Sequence, residues 1–214
     1  MPPALPHPPG VEALRAAEIT PDEYLILDTD TIVWRVHSTS GDHVLPWNTL
    51  RTFGPVLRFD PHPLPRRDHA RHGVWYGAAD VPGALAEAFQ TTRVIDTRTR
   101  VPYLTAVRFT RPLHLLDVAA HGPGRWPTRV GANFALSTAA HGIAQHWART
   151  IRAAHPDLDG LAYRGRFAGG LCVVLFTPAA RAFPDQPEMT IPLDHPGFAS
   201  RLAGAADRIG YAIE

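Results

Sequence analysis

The stretch GVWYGAADVPGALAEAF, from Gly73 to Phe89, allows few local structures. Aromatic and β-branched side chains gather around Tyr76, the composition of a strand. Asp80, Pro82 and Gly83 turn the chain into an alanine-rich helix that carries a single acid, Glu87. In helical phase Leu85 and Phe89 share one face, and Glu87, two residues from each, points away from it. Its helix neighbours Gly83, Ala84, Gln90 and Thr91 are mostly small. Two readings of the acid therefore stand side by side: a solvated helix residue, or a carboxylate that a ligand or another element approaches closely.

The rest of the chain mixes strands and helices without regular alternation, which predicts one α+β domain with a mixed sheet rather than a doubly wound fold. A short helix is predicted over Val11 to Ala17. Strands are predicted over Thr31 to His37 (TIVWRVH), Val101 to Phe109 and Leu113 to Val118. Ala135 to Ala154 is the longest helical pattern, with Ile143, Trp147 and Ile151 at four-residue spacing. Leu161 to Tyr163 and Leu171 to Phe176 read as a hairpin around Gly169-Gly170. A last helix falls near Phe198 to Ile209. Between Ser38 and His72 lies a long irregular stretch, the kind of loop that carries function or moves. The proline-rich start suggests an arm, partly disordered, over residues 1–20, followed by the domain at 21–214.

Several chemistries find no support. His62, His69 and His72 sit in a polar loop with Arg66, Arg67 and Asp68, which a solvated loop explains, and His141 and His146 are five apart on different helix faces. With no HExxH and no cysteine pair, no metal is expected. The one cysteine, Cys172, lies in the apolar run LCVVLF and reads as a core residue. No P-loop or dinucleotide fingerprint is present, and GRFAGG, Gly165 to Gly170, reads as a β-turn. The start lacks a basic region and an apolar stretch, and no run is long enough to span a bilayer, so a cytoplasmic protein without membrane contact is expected. The net charge is +1. A nucleic-acid-binding domain using Arg66, Arg67 and Arg71 is the weakest reading, since no aromatic ladder accompanies them. All 21 basic residues are arginine. Apart from charged histidine and the N-terminus, every cationic contact must then be a guanidinium, a good bidentate partner for phosphate. Arg35 in VWRVH and Arg58 in VLRFD are embedded in apolar, strand-like sequence where a charge wants a reason.

WRVH with Arg35, LRFDP with Arg58, GVWYGA with Tyr76, ALAEAF with Glu87 and DGLAYRGRF, in this order, resemble the RES domain over roughly Ile32 to Phe176. The resemblance implies a fold similar to ADP-ribosyltransferases and a bacterial toxin of a toxin–antitoxin pair. It implies NAD as substrate, degraded by hydrolysis or phosphorolysis or used to transfer ADP-ribose to a protein. The implied partner is an antitoxin with a helix-turn-helix region, and the resemblance leaves room for a homodimer. Residue by residue, Arg35 and Arg58 match the family's two arginines, Tyr76 the aromatic near the nicotinamide end, and Glu87 the glutamate. The family's serine follows a tyrosine, and here Tyr163-Arg164-Gly165 puts a glycine at that position. Ser137 lies elsewhere. A nearby hydroxyl, a water or Arg164 is a candidate to make up for the missing serine, and Arg164 is also a candidate to contact the ligand.

In the chemistry this implies, Glu87 and Arg35 are the catalytic candidates and Arg35, Arg58, Tyr76 and Arg164 the NAD-binding ones. The rival expectation, carried by Gly165, is a degenerate RES fold that binds without turnover.

Overall fold

The computed structural model describes residues 5–214. The first four residues of the proline-rich start, expected to be part of a disordered arm, lie outside the described residues. From residue 5 on, the segment lies against the body of the protein. Leu5 is buried, and the Trp147 indole N–H donates to the Pro6 carbonyl at 2.9 Å.

Among the described residues twelve strands form in chain order: β1 Tyr24–Leu27, β2 Ile32–Ser38, β3 Phe53–Gly54, β4 Arg67–Asp68, β5 Val74–Ala78, β6 Val94–Ile95, β7 Pro102–Arg108, β8 Leu113–Asp117, β9 Gly160–Arg164, β10 Leu171–Phe176, β11 Met189–Pro192 and β12 Ala212–Ile213. The helices are α1 Val11–Ala16, α2 Val81–Ala88, α3 Trp126–Arg129, α4 His141–Ala154 and α5 Ala199–Ile209. Eight strands make one sheet in the order β1-β8-β9-β10-β5-β2-β7-β11. Only β8 and β9 run parallel and the other neighbours are antiparallel, so the sheet is mixed, as expected.

Strand alternation sorts the core onto two faces. Val74 and Ala78 of β5 pack with Leu85 of α2, Trp147 and Ile151 of α4 and Leu202 of α5. Trp75 turns to the opposite face with Val33, Val107 and Phe109. Helix α2 begins where the sequence places its start. The Asp80 carboxylate accepts from the Gly83 amide at 2.7 Å and Pro82 sits in the first turn. Gly83 is required there: an added Cβ would lie 2.8 Å from Asp80 Oδ1 and 3.1 Å from the Ala78 side chain.

The longest helix is shorter than its pattern. Residues 134–138 form a 3₁₀ turn, Ala139 and Ala140 are extended, and α4 starts at His141. Asn133 caps the 3₁₀ turn through the Ala135 amide, ending one local structure before the next begins. The break leaves the Ala139 carbonyl outside the α-helical ladder. Edge strands β1 and β11 were not anticipated. Each has four residues, too few for a periodic signal to stand out, and each is held by one neighbour.

Replacing Asp80 with Ala removes the α2 cap. We expect a loss of about 1 kcal/mol, a fall of roughly 2–4 °C in Tm for a domain of this size, measured by thermal unfolding.

Candidate active site

A cleft opens near the middle of the sheet because two neighbouring strands part. β2 and β7 are joined from Ile32 opposite Arg108 to Ser38 opposite Pro102, whereas β2 and β5 are joined only at Trp34 opposite Ala78. Beyond that pair the strands diverge. Arg35, Arg51, Arg58, Tyr76, Glu87, His141, Tyr163 and Arg166 all line the opening. Four residues singled out in the sequence, Arg35, Arg58, Tyr76 and Glu87, thus meet in one place.

Asp60, the acid of LRFDP, organises one wall and was not singled out. It is fully buried. It accepts from Arg51 Nη2 at 2.8 and 2.9 Å, from the amides of Val56 at 2.6 Å and Leu57 at 2.9 Å, and from the Tyr76 hydroxyl at 2.8 Å. The Tyr76 oxygen in turn accepts from the Phe59 amide at 3.2 Å. Burial and the neighbouring Asp60 push the Tyr76 phenol well above its ordinary range, so it stays a hydrogen donor. Its ring is then the part free to meet a ligand. Arg58 lies in the turn that Asp60 secures, not in a strand as its apolar neighbours suggested. Its guanidinium donates to the Ala139 carbonyl freed by the helix break, and Gln145 of α4 donates to the Leu57 carbonyl at 2.9 Å.

Glu87 lines the same cleft and is not a solvated helix residue. The Tyr163 hydroxyl donates to its Oε2 at 3.2 Å. Burial raises its pKa, against the opposing pull of Tyr163, the Arg166 backbone amide and the Arg58 charge. Arg35 stacks over the Trp75 ring at 5.3 Å, with Nη1 shut off from solvent and without a protein partner. Burial, then repulsion from Arg51, lowers its pKa to about 10, so it remains charged at neutral pH. Arg51 is matched by Asp60. Arg35, Arg58 and Arg166 share the cleft lining with one carboxylate, an excess of positive charge suited to an anionic ligand.

The RES domain model matches residues 32–194. This chain belongs to the RES domain family. A solved chain of the M. tuberculosis MbcT–MbcA toxin–antitoxin complex is similar in fold, with a TM-score of 0.57 and 16% sequence identity, over 91% of this chain and 96% of that one. No curated protein matches the sequence.

Within the RES domain the candidate Arg164 stands apart. It is exposed, its guanidinium lies 3.5 Å from the Gly169 carbonyl, and Arg166 reaches the cleft instead. Alternation decides this, since a residue next to the inward Tyr163 on β9 must point the other way. Gly165 sits beside the glutamate, and a Cβ there would lie 3.4 Å from Glu87 Oε1 and 2.9 Å from Cys172 Sγ. Ser137 is buried and accepts from the Arg164 amide at 3.2 Å, away from the cleft lining. The loop histidines also depart from expectation. His62 is fully buried rather than solvated, and burial lowers its pKa to about 4. Its ring lies 5.9 Å from His69 and 6.4 Å from His72, yet among the described residues no group of three or more His, Cys, Asp or Glu could hold a metal ion. A signal for Asp60 was present in the sequence: an acid two residues from an arginine, inside an apolar run.

Substituting Asp60 by Asn leaves Arg51 without its charge partner and disturbs the donors around it. A loss of about 3 kcal/mol is expected, read by denaturant unfolding, together with weaker binding of anionic ligands to the cleft.

Proposed function

We propose that this RES domain is a toxin that consumes NAD by breaking the bond between nicotinamide and ribose. The observation that carries the reading is the partly buried Glu87 carboxylate facing a cleft walled by Arg35, Arg58 and Arg166. The arginines hold the diphosphate and fix the ribose in place, a proximity effect. The Tyr76 ring packs against the nicotinamide end. As the bond breaks, positive charge develops on the ribose, as in glycoside chemistry. Glu87 faces that charge and binds the ribose hydroxyls. Nicotinamide departs as a neutral base, so no strong acid has to be supplied.

The proposed setting is a bacterial cytoplasm, with a helix-turn-helix antitoxin as partner. Support comes from family membership and from the toxin–antitoxin complex that shares the fold. Among the described residues no helix is long and apolar enough to cross a membrane. A second reading, a binder without turnover, rests on Gly165, which offers no hydroxyl beside Glu87.

Antitoxin-free protein incubated with NAD should release nicotinamide. The co-product identifies the acceptor: ADP-ribose for water, its 1″-phosphate for inorganic phosphate, a modified protein for ADP-ribosyl transfer. NAD binding without nicotinamide release, with or without phosphate, would select the binder. Glu87→Gln should lower kcat by roughly a hundredfold with little change in affinity, because it removes an interaction strongest in the transition state. Arg35→Ala or Arg58→Ala should instead weaken binding, by about tenfold or more, the worth of a charge-assisted hydrogen bond.

The pH profile follows from the raised pKa of Glu87. The carboxylate is needed charged, so activity should fall as pH drops through a midpoint above the ordinary glutamate value of 4.5. A midpoint at or below that value would contradict the buried carboxylate as the working group.

A further inference from the structure

Tyr163 is nearly inaccessible and sits in β9 directly opposite Cys172 of β10. Its ring packs on Phe59 at 4.8 Å between centroids, and Phe59 belongs to the turn secured by Asp60. Its hydroxyl is aimed at Glu87 Oε2. One side chain therefore joins the wall that carries Arg58 to the carboxylate on α2. On the side of β10 the space beside that contact is taken up. Gly165 follows two residues later, and its missing side chain leaves room that the Cys172 thiol occupies. The backbone there is not what demands glycine: the glycines at positive φ are Gly41, Gly131, Gly169 and Gly210, and Gly165 is not among them. The obstacle to a side chain at 165 is the thiol.

We infer that Tyr163 is the positioning residue for the Glu87 carboxylate, and that Gly165 and Cys172 are a matched pair whose combined volume keeps that hydrogen bond in place. The inference rests on the NAD-cleaving reading for its consequence in turnover, but not for the hydrogen bond itself. The phenol fixes one carboxylate oxygen, Oε2. The groups that face Glu87 are Tyr163 on β9, Arg58 on the Asp60 turn, the Arg166 amide beyond β9, Cys172 on β10 and Tyr211 after α5. Cys172 takes no part as a nucleophile: burial, reinforced by Glu87, raises its pKa and holds it as a thiol.

The test compares wild type with Tyr163→Phe, which deletes one oxygen and keeps the ring. Glu87 is titrated by carbon NMR of protein labelled in its glutamate carboxyls, with Glu87→Gln assigning the signal. Losing a donor that favours the charged form should move the Glu87 midpoint to higher pH. In turnover, kcat should fall about tenfold with KM unchanged, and the acid limb should move the same way. In a Glu87→Gln background the added Tyr163→Phe should cost little more in turnover. An unmoved midpoint with unchanged kcat overturns the positioning role. A moved midpoint in a protein that releases no nicotinamide keeps the positioning role and defeats the NAD-cleaving reading.

The matched pair is tested separately. Gly165→Ser alone should lower Tm and shift the Glu87 midpoint, because its Cβ meets the Cys172 sulfur. Gly165→Ser combined with Cys172→Ala should restore both to the values of Cys172→Ala alone. A Gly165→Ser protein that matches wild type in both measures overturns the pairing.

Discussion

The Asp60 carboxylate is the interaction on which the cleft depends. A buried, charged acid is stable only when its oxygens are fully engaged. Here a guanidinium, two backbone amides and a phenol supply the donors. Those donors come from the stretch 51–57 and from β5, so satisfying one carboxylate fixes an otherwise irregular loop against the sheet. The turn bearing Arg58 and the ring of Tyr76 take their positions from it. The long loop can therefore present a charge with the constancy of a regular element.

A second constraint is the parting of β2 from β5. Sheets normally pair neighbouring strands along their length, since an unpaired buried amide or carbonyl is costly. Beyond Trp34 and Ala78 the gap gives the interior of the sheet an opening, and Arg35 lies there against Trp75. Stacking on an indole accommodates the guanidinium without a carboxylate partner, with Nη1 buried and unpaired. The surplus of arginine over acid in the cleft follows the same logic.

The elements near the opening stretch were legible because they depend on local pattern. The strand around Tyr76, the Asp80 start of α2 and the β9–β10 hairpin all formed where propensity and turn chemistry placed them. The pattern over 135–154 misled because helical periodicity continues through residues whose backbone turns extended at Ala139 and Ala140. The edge strands β1 and β11 were missed because a four-residue strand is defined by its partner rather than by its own period.

For the site, the residue types themselves carried much of the information. A lone glutamate on a helix of small side chains, and arginines in apolar surroundings, stand out in the sequence, and in the structure they line one cleft. What the sequence could not express was who faces whom. Arg166 rather than Arg164 enters the cleft, His62 is buried, Asp60 gathers its donors, and the Cys172 thiol fills the room beside Gly165. Each of these depends on how side chains are packed in three dimensions, not on residue type alone. The sequence by itself determined most of the longer local elements and several of the chemical types of the site. Only the tertiary structure, through strand parity, the splay of β2 from β5 and the burial of one acid, decided which side chains share the cleft.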